Sequence, residues 1–140
     1  MRPASGGIDM YLLDTNIFLE LLLDQEEAGS VRTLLSTKSP ADLAISDLAF
    51  HSIGIILYQK KSPRLFTDFV RDIFGNGGIA IIGLMPEDMN RIEEVAQTSG
   101  LDFDDSYQYV VAEKYDLTLV SFDAHFDSTE RKRIVPAHVT

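Results

Sequence analysis

The chain has 140 residues, 45% of them apolar and 24% charged, with 22 acidic against 12 basic side chains and a net charge of −10. That size fits one domain with a substantial core, and the lack of cysteine excludes disulfides, thiolate zinc sites and cysteine nucleophiles, as suits a reducing cytoplasm. The acidic balance argues against a sequence-independent grip on nucleic acid, because such binding rests on lysines and arginines neutralising phosphates.

Residues 1–9 hold no apolar stretch of signal-peptide type; they read as a disordered leader, with Met10 a second candidate start, and 10–140 as the domain. The run 10–13 predicts a short buried strand, followed by the turn Asp14-Thr15-Asn16 and an apolar helical stretch, Ile17 to Leu23. Gln25 to Thr37 continues as a second helix, with Val31, Leu34 and Leu35 on one face. A second strand over 42–45 precedes Ser46, a good N-cap for a helix through Gln59. The longest apolar run, around Ile53 to Tyr58, is far too short to span a membrane. Pro63 opens a further helix, in which Leu65, Phe66, Phe69, Val70 and Ile73 recur at helical spacing, and Gly75-Asn76-Gly77-Gly78 ends it. Ile79 to Ile82 reads as a third strand, Pro86 to Thr98 as a helix stopped by Gly100, and Asp104 as the cap of a helix reaching Tyr115. Leu117 to Phe122 is the fourth strand and Ile134-Val135 a candidate fifth. Strands alternating with helices predict a three-layer α/β/α sandwich around a mostly parallel sheet of four to five strands.

Carboxylates stand where the apolar runs give out: Asp14, then Asp104 and Asp105, then Asp123. In an open parallel sheet such positions gather at the carboxyl edge, where ligands bind. Gathered carboxylates repel unless a hard divalent cation sits among them. Two basic strips, Lys60-Lys61-Arg64-Arg71 and Arg131-Lys132-Arg133, could neutralise phosphates locally, although each taken alone reads first as a solvated face.

The landmarks Leu12-Leu13-Asp14-Thr15-Asn16, Ile45-Ser46-Asp47, Asp102-Phe103-Asp104-Asp105-Ser106 and Val120-Ser121-Phe122-Asp123-Ala124-His125-Phe126-Asp127, in that order, resemble those of the PIN domain, in particular the VapC-type toxin ribonucleases. The resemblance runs from about Met10 to Val135. It implies that Asp14, Asp105 and Asp123 are catalytic metal ligands, with Asp104 and Asp127 as further candidates, for Mg2+ or Mn2+. It also implies that Asn16 and Ser121 orient Asp14. One landmark departs from the family pattern: the glutamate expected one to two turns into the helix after the second strand falls at Ser52, a side chain with no charge to offer. Fewer carboxylates favour one firmly held ion over the usual pair, which sit about 3.5–4 Å apart in two-metal sites. The implied protein is a cytoplasmic homodimeric ribonuclease, paired with an antitoxin and without a membrane partner. Lys60, Lys61 and Arg64 are its candidate RNA contacts.

Two other readings compete. A non-catalytic PIN scaffold would explain Ser52, but it leaves three mutually repelling carboxylates without a purpose. A haloacid-dehalogenase-type phosphohydrolase needs an acid two residues after the first aspartate, where this chain has Asn16. His51, on an apolar helix face, reads as a hydrogen-bonded structural histidine, and His125 as a loop residue next to Asp123. Tyr107 and Tyr109, two apart on one helix, cannot share a face, so one of them is expected in the core.

Overall fold

The structure is a computed structural model describing residues 10–75 and 78–139, so the expected leader over 1–9 lies outside the described residues. Four parallel strands, β1 (Tyr11–Leu13), β2 (Leu43–Ser46), β3 (Ala80–Ile82) and β4 (Thr118–Val120), lie in the order β3-β2-β1-β4. Among the described residues six helices connect and cover them: α1 (Thr15–Leu22), α2 (Ala28–Thr37), α3 (Asp47–Gln59), α4 (Pro63–Phe74), α5 (Met89–Ser99) and α6 (Phe103–Lys114). The predicted α/β/α sandwich with a parallel sheet is the fold observed.

Alternation along the strands builds the two cores. Tyr11, Leu13, Leu43, Ile45 and Val120 face α1 to α4, where Phe18, Val31, Ile53, Leu57 and Phe69 close the layer. Leu12, Ala44 and Leu119 face the opposite way, onto Ile92 and Val95 of α5 and Val110 and Val111 of α6. Side chains buried on both faces are what all-parallel sheets require, and they account for the continuous apolar runs of β1, β2 and β4, while the edge strand β3 stays more exposed. Among the described residues no helix is long and apolar enough to cross a membrane.

Several boundaries differ from the sequence reading for local reasons. The fourth strand stops at Val120 because the Ser121 amide donates to Ile134 O and the Phe122 amide to the side-chain oxygen of Asn16, so neither continues the ladder. The candidate fifth strand shrinks to a single parallel bridge between Val120 and Ile134. Helix α2 starts at Ala28 rather than Gln25, since the preceding turn puts Asp24 at φ 49° and the Glu27 amide donates to Glu20. Ser46 caps α3 as expected, accepting from the Ala49 amide at 2.9 Å. Pro86 opens a 3-10 turn (Pro86–Asp88), and α5 follows from Met89 to the left-handed Gly100, φ 72°. The cap of α6 is Asp102, not Asp104: its Oδ1 accepts from the Asp105 amide at 2.9 Å, and Asp104 is exposed in the first turn.

Candidate active site

Strand phase aims the first carboxylate. Leu12 and Leu119 share the core beneath α6, so Asp14 and Ser121, each two residues further along, turn towards the same helix. The Asp14 amide donates to Val120 O at 3.0 Å, fixing the register at the point where the strands end.

Asp14 is 6% exposed and surrounded by donors. Gln108 Nε2 (2.8 Å) and the Thr15 amide (2.8 Å) donate to Oδ1, while Ser121 Oγ (2.7 Å) and, more distantly, Asn16 Nδ2 (3.5 Å) donate to Oδ2. Ser121 Oγ also accepts from Asn16 Nδ2 at 3.1 Å and from the Asp123 amide at 3.0 Å. One buried hydroxyl therefore links the acid after β1 to the acid after β4. Burial pushes the Asp14 carboxyl above its ordinary range, against the opposing pull of the Gln108 and Ser121 hydrogen bonds.

Asp105 stands in the first turn of α6 and is partly buried. Desolvation, followed by the negative charges of Asp102, Asp123 and Asp14, pushes its carboxyl up to about 6. Asp123 caps a 3-10 turn (Ala124–Ser128), its Oδ1 accepting from the His125 amide at 2.8 Å. The His125 ring folds back so that Nδ1 lies 3.2 Å from Asp123 Oδ1 and 3.5 Å from Asp105 Oδ2. Asp14, Asn16, Ser52, Asp104, Asp105, Gln108 and Asp123 all line one open cleft of about 260 Å³.

Three observations fit this cleft to a divalent cation. Its donors are hard carboxylate oxygens, which magnesium and manganese prefer. The charge of Asp123 adds to the raised proton affinity of Asp14 and of Asp105, so negative charge is left uncompensated there. Gln108, 2% exposed on the cleft wall, has a carbonyl oxygen, Oε1, without a hydrogen-bond partner. A buried acceptor left unmatched costs about 1–3 kcal/mol, which a ligand or an ordered water can recover.

Not every residue singled out in the sequence comes to this cleft. Asp127 is exposed and forms a fork with Arg133, at 3.1 Å on both oxygens, so a side chain that pairs locally stays out of the cluster. Arg131 is taken up by Asp116 and Leu117 O, and Arg133 also by Ser121 O, so the second basic strip is largely internal wiring. Lys60, Lys61 and Arg64 are exposed beyond the far end of α3, one turn past the cleft residue Ile56, with Arg64 pairing Asp68 at 3.2 Å. His51 is exposed beside the Phe50 ring, not buried among hydrogen-bond partners. Tyr107 and Tyr109 are both buried, since α6 is covered nearly all round. The Tyr107 hydroxyl donates to Asp47 and accepts from the Leu84 amide, and the Tyr109 hydroxyl accepts from the Arg131 amide.

Gln108 is the residue that sequence reasoning missed. Its signal was an amide side chain amid Tyr107, Tyr109, Val110 and Val111, a polar group in an otherwise apolar stretch of helix.

A pH response follows from the crowding. An aspartate whose folded-state value lies above its unfolded one holds a proton more tightly when folded, so it is harmless below the unfolded value and destabilises progressively as pH rises through the folded one. For Asp105 that window runs from 3.8 to about 6. Metal-free protein should therefore lose melting temperature from pH 4 to 6.5, and Asp105→Asn should flatten that slope in a thermal scan.

A family model described as PIN domain matches residues 11–132. The fold is similar to that of FitAcB from Neisseria gonorrhoeae (TM-score 0.72, 20% identity, 93% of this chain and 100% of that one). It is also similar to a toxin-antitoxin complex from Klebsiella pneumoniae (0.71, 16%, 92% and 99%). A third similar structure is VapC20 of Mycobacterium tuberculosis, described as a sarcin-ricin loop cleaving toxin (0.69, 15%, 84% and 93%). At these identities the likeness concerns the fold. A search of curated protein sequences returns no match.

Proposed function

The chain belongs to the PIN-domain family, and from that membership we propose that it is a divalent-metal-dependent endoribonuclease, the toxin of a toxin–antitoxin pair, with residues 10–140 forming a single domain. The observation that carries this reading is the convergence of Asp14, Asp105 and Asp123, from three separate segments of the chain, on one cleft beside the unpartnered carbonyl of Gln108. Asp14, Asp105 and Asp123 are the proposed catalytic residues, and they would hold Mg2+ or Mn2+, with Asp104 on the rim. When bound, such an ion activates water for attack on a phosphodiester and offsets charge on the leaving oxygen.

The protein's own groups prepare that chemistry. Ser121, Gln108 and Asn16 hold the Asp14 carboxylate in one orientation, so it need not reorganise when substrate arrives. Asp105 must give up a proton to become a ligand, so cation binding should weaken below about pH 6. Lys60 and Lys61, exposed beyond the cleft along α3, are positioned to meet RNA phosphates that the acidic remainder repels.

An apolar cleft formed by Phe50, Ile55, Tyr58 and Phe66, with Ile55 58% and Tyr58 60% exposed, supports a protein partner. An antitoxin and a second copy of the chain are the partners that the toxin–antitoxin reading supplies, in the cytoplasm. The direct test is cleavage of single-stranded RNA by purified protein with Mg2+ or Mn2+. Equal cleavage in excess chelator would rule out the metal mechanism.

Ser52 favours a second reading, a degenerate scaffold, because it lines the cleft without a charge. Ser52→Glu separates the two. The added carboxylate should tighten Mn2+ binding, measured calorimetrically, and lower the melting temperature of the metal-free protein, effects of opposite sign. Wild-type protein that binds neither cation at millimolar concentration would be a scaffold.

A further inference from the structure

We propose that His125 is a metal ligand, so that the ion held by this protein is bound by an imidazole nitrogen as well as by aspartate oxygens. This rests on the metal-dependent reading above and goes beyond it by assigning a ligand and a metal preference. One atom each from Asp105, Asp123 and His125 lie within 4.8 Å of one another, so a single cation could reach all three. His125 is brought there by the backbone: Asp123 Oδ1 accepts from the His125 amide, and this tight turn swings the ring over both carboxylates.

His125 itself lines a neighbouring cleft, which shares Asp105 with the first. The Gln108 carbonyl is buried and unpartnered in the wall of the cleft that Asp105 and Asp123 line. An ion pair between imidazolium and the aspartates would hold the ring in the same position, so the test includes His125→Lys.

The proposal also bears on Ser52. The cleft offers no carboxylate at that position, and a neutral nitrogen ligand raises the coordination number without adding to the repulsion. Nitrogen ligation has a chemical signature: imidazole discriminates among divalent ions, favouring Co2+ and to a lesser extent Mn2+, whereas Mg2+ is held by oxygen and water.

The experiment titrates metal-free wild-type, His125→Ala and His125→Lys protein with Co2+, Mn2+ and Mg2+ by calorimetry, and records pulsed EPR of the Mn2+ complexes. His125→Ala should weaken Co2+ and Mn2+ by about tenfold or more while changing Mg2+ about twofold at most. Wild-type Mn2+ should show nitrogen coupling from a directly bound imidazole, absent in both variants. Uniform affinities across the three proteins, or no nitrogen coupling in the wild type, would overturn the ligand assignment and leave the ribonuclease reading standing. Full Mn2+ affinity in His125→Lys would make the ring a counter-charge and overturn it too. No binding of any of the three ions by the wild type would overturn both.

Discussion

Asp105→Asn should abolish metal-dependent RNA cleavage and at the same time raise the melting temperature of the metal-free protein. The substitution removes a proposed ligand, a larger loss than the roughly 10–100-fold that follows when a ligand's supporting partner is removed. It also removes one of the charges that crowd Asp102, Asp123 and Asp14, so the folded state gains. Asp123→Asn should behave alike. Asp14→Asn should instead cost both activity and stability. Its amide nitrogen would face Ser121 Oγ, which already accepts from Asn16 and from the Asp123 amide, so three donors would compete for one buried hydroxyl oxygen. Thermal scans in chelator combined with a gel assay check all three. Three variants equally inactive and equally destabilised would mean that the acids act through folding and not through chemistry.

Ser121→Ala should cost about 2–3 kcal/mol of stability, because a fully buried hydroxyl that serves Asp14, Asn16 and Asp123 cannot be replaced by water. For a domain of this size that is a fall of about 10 °C in melting temperature. Activity should drop by about 10–100-fold as Asp14 loses its fixed orientation. Ser121→Thr, which keeps the hydroxyl, should recover part of both. Denaturant unfolding and RNA cleavage rates measure the two effects, and an alanine variant with wild-type values in each would show that Ser121 is not the link between the two strand ends.

The architecture was legible because its four strands are apolar on both faces and the segments between them carry helical periodicity or proline and glycine stops. Asp14 and Asp123 were legible for the same reason: each follows the end of an unmistakable run. The acidic stretch 102–105 was harder, since three aspartates within four residues all suit a helix start and only the tertiary position of α6 selects Asp102 as the cap. Asp127 was misplaced because its partner, Arg133, lies six residues on, across a turn that periodicity does not describe. Asp47 reads as a first-turn acid of α3, yet its carboxylate is occupied by the Tyr107 hydroxyl and packed against Gly83 so closely that a Cβ there would collide with it. Such pairings join positions far apart in the chain, and one sequence without alternatives to compare carries no trace of them.

The link from Ser121 to Asp14 spans 107 positions, and the amide that sets the register of Asp14 bonds to Val120. Neither contact exists until β4 has been synthesised and has paired with β1, and pairings of such long sequence separation form late. A partly made chain therefore carries Asp14 with no Ser121 to orient it and no Asp123 opposite. Any chemistry that needs these acids together is withheld until the chain is nearly complete.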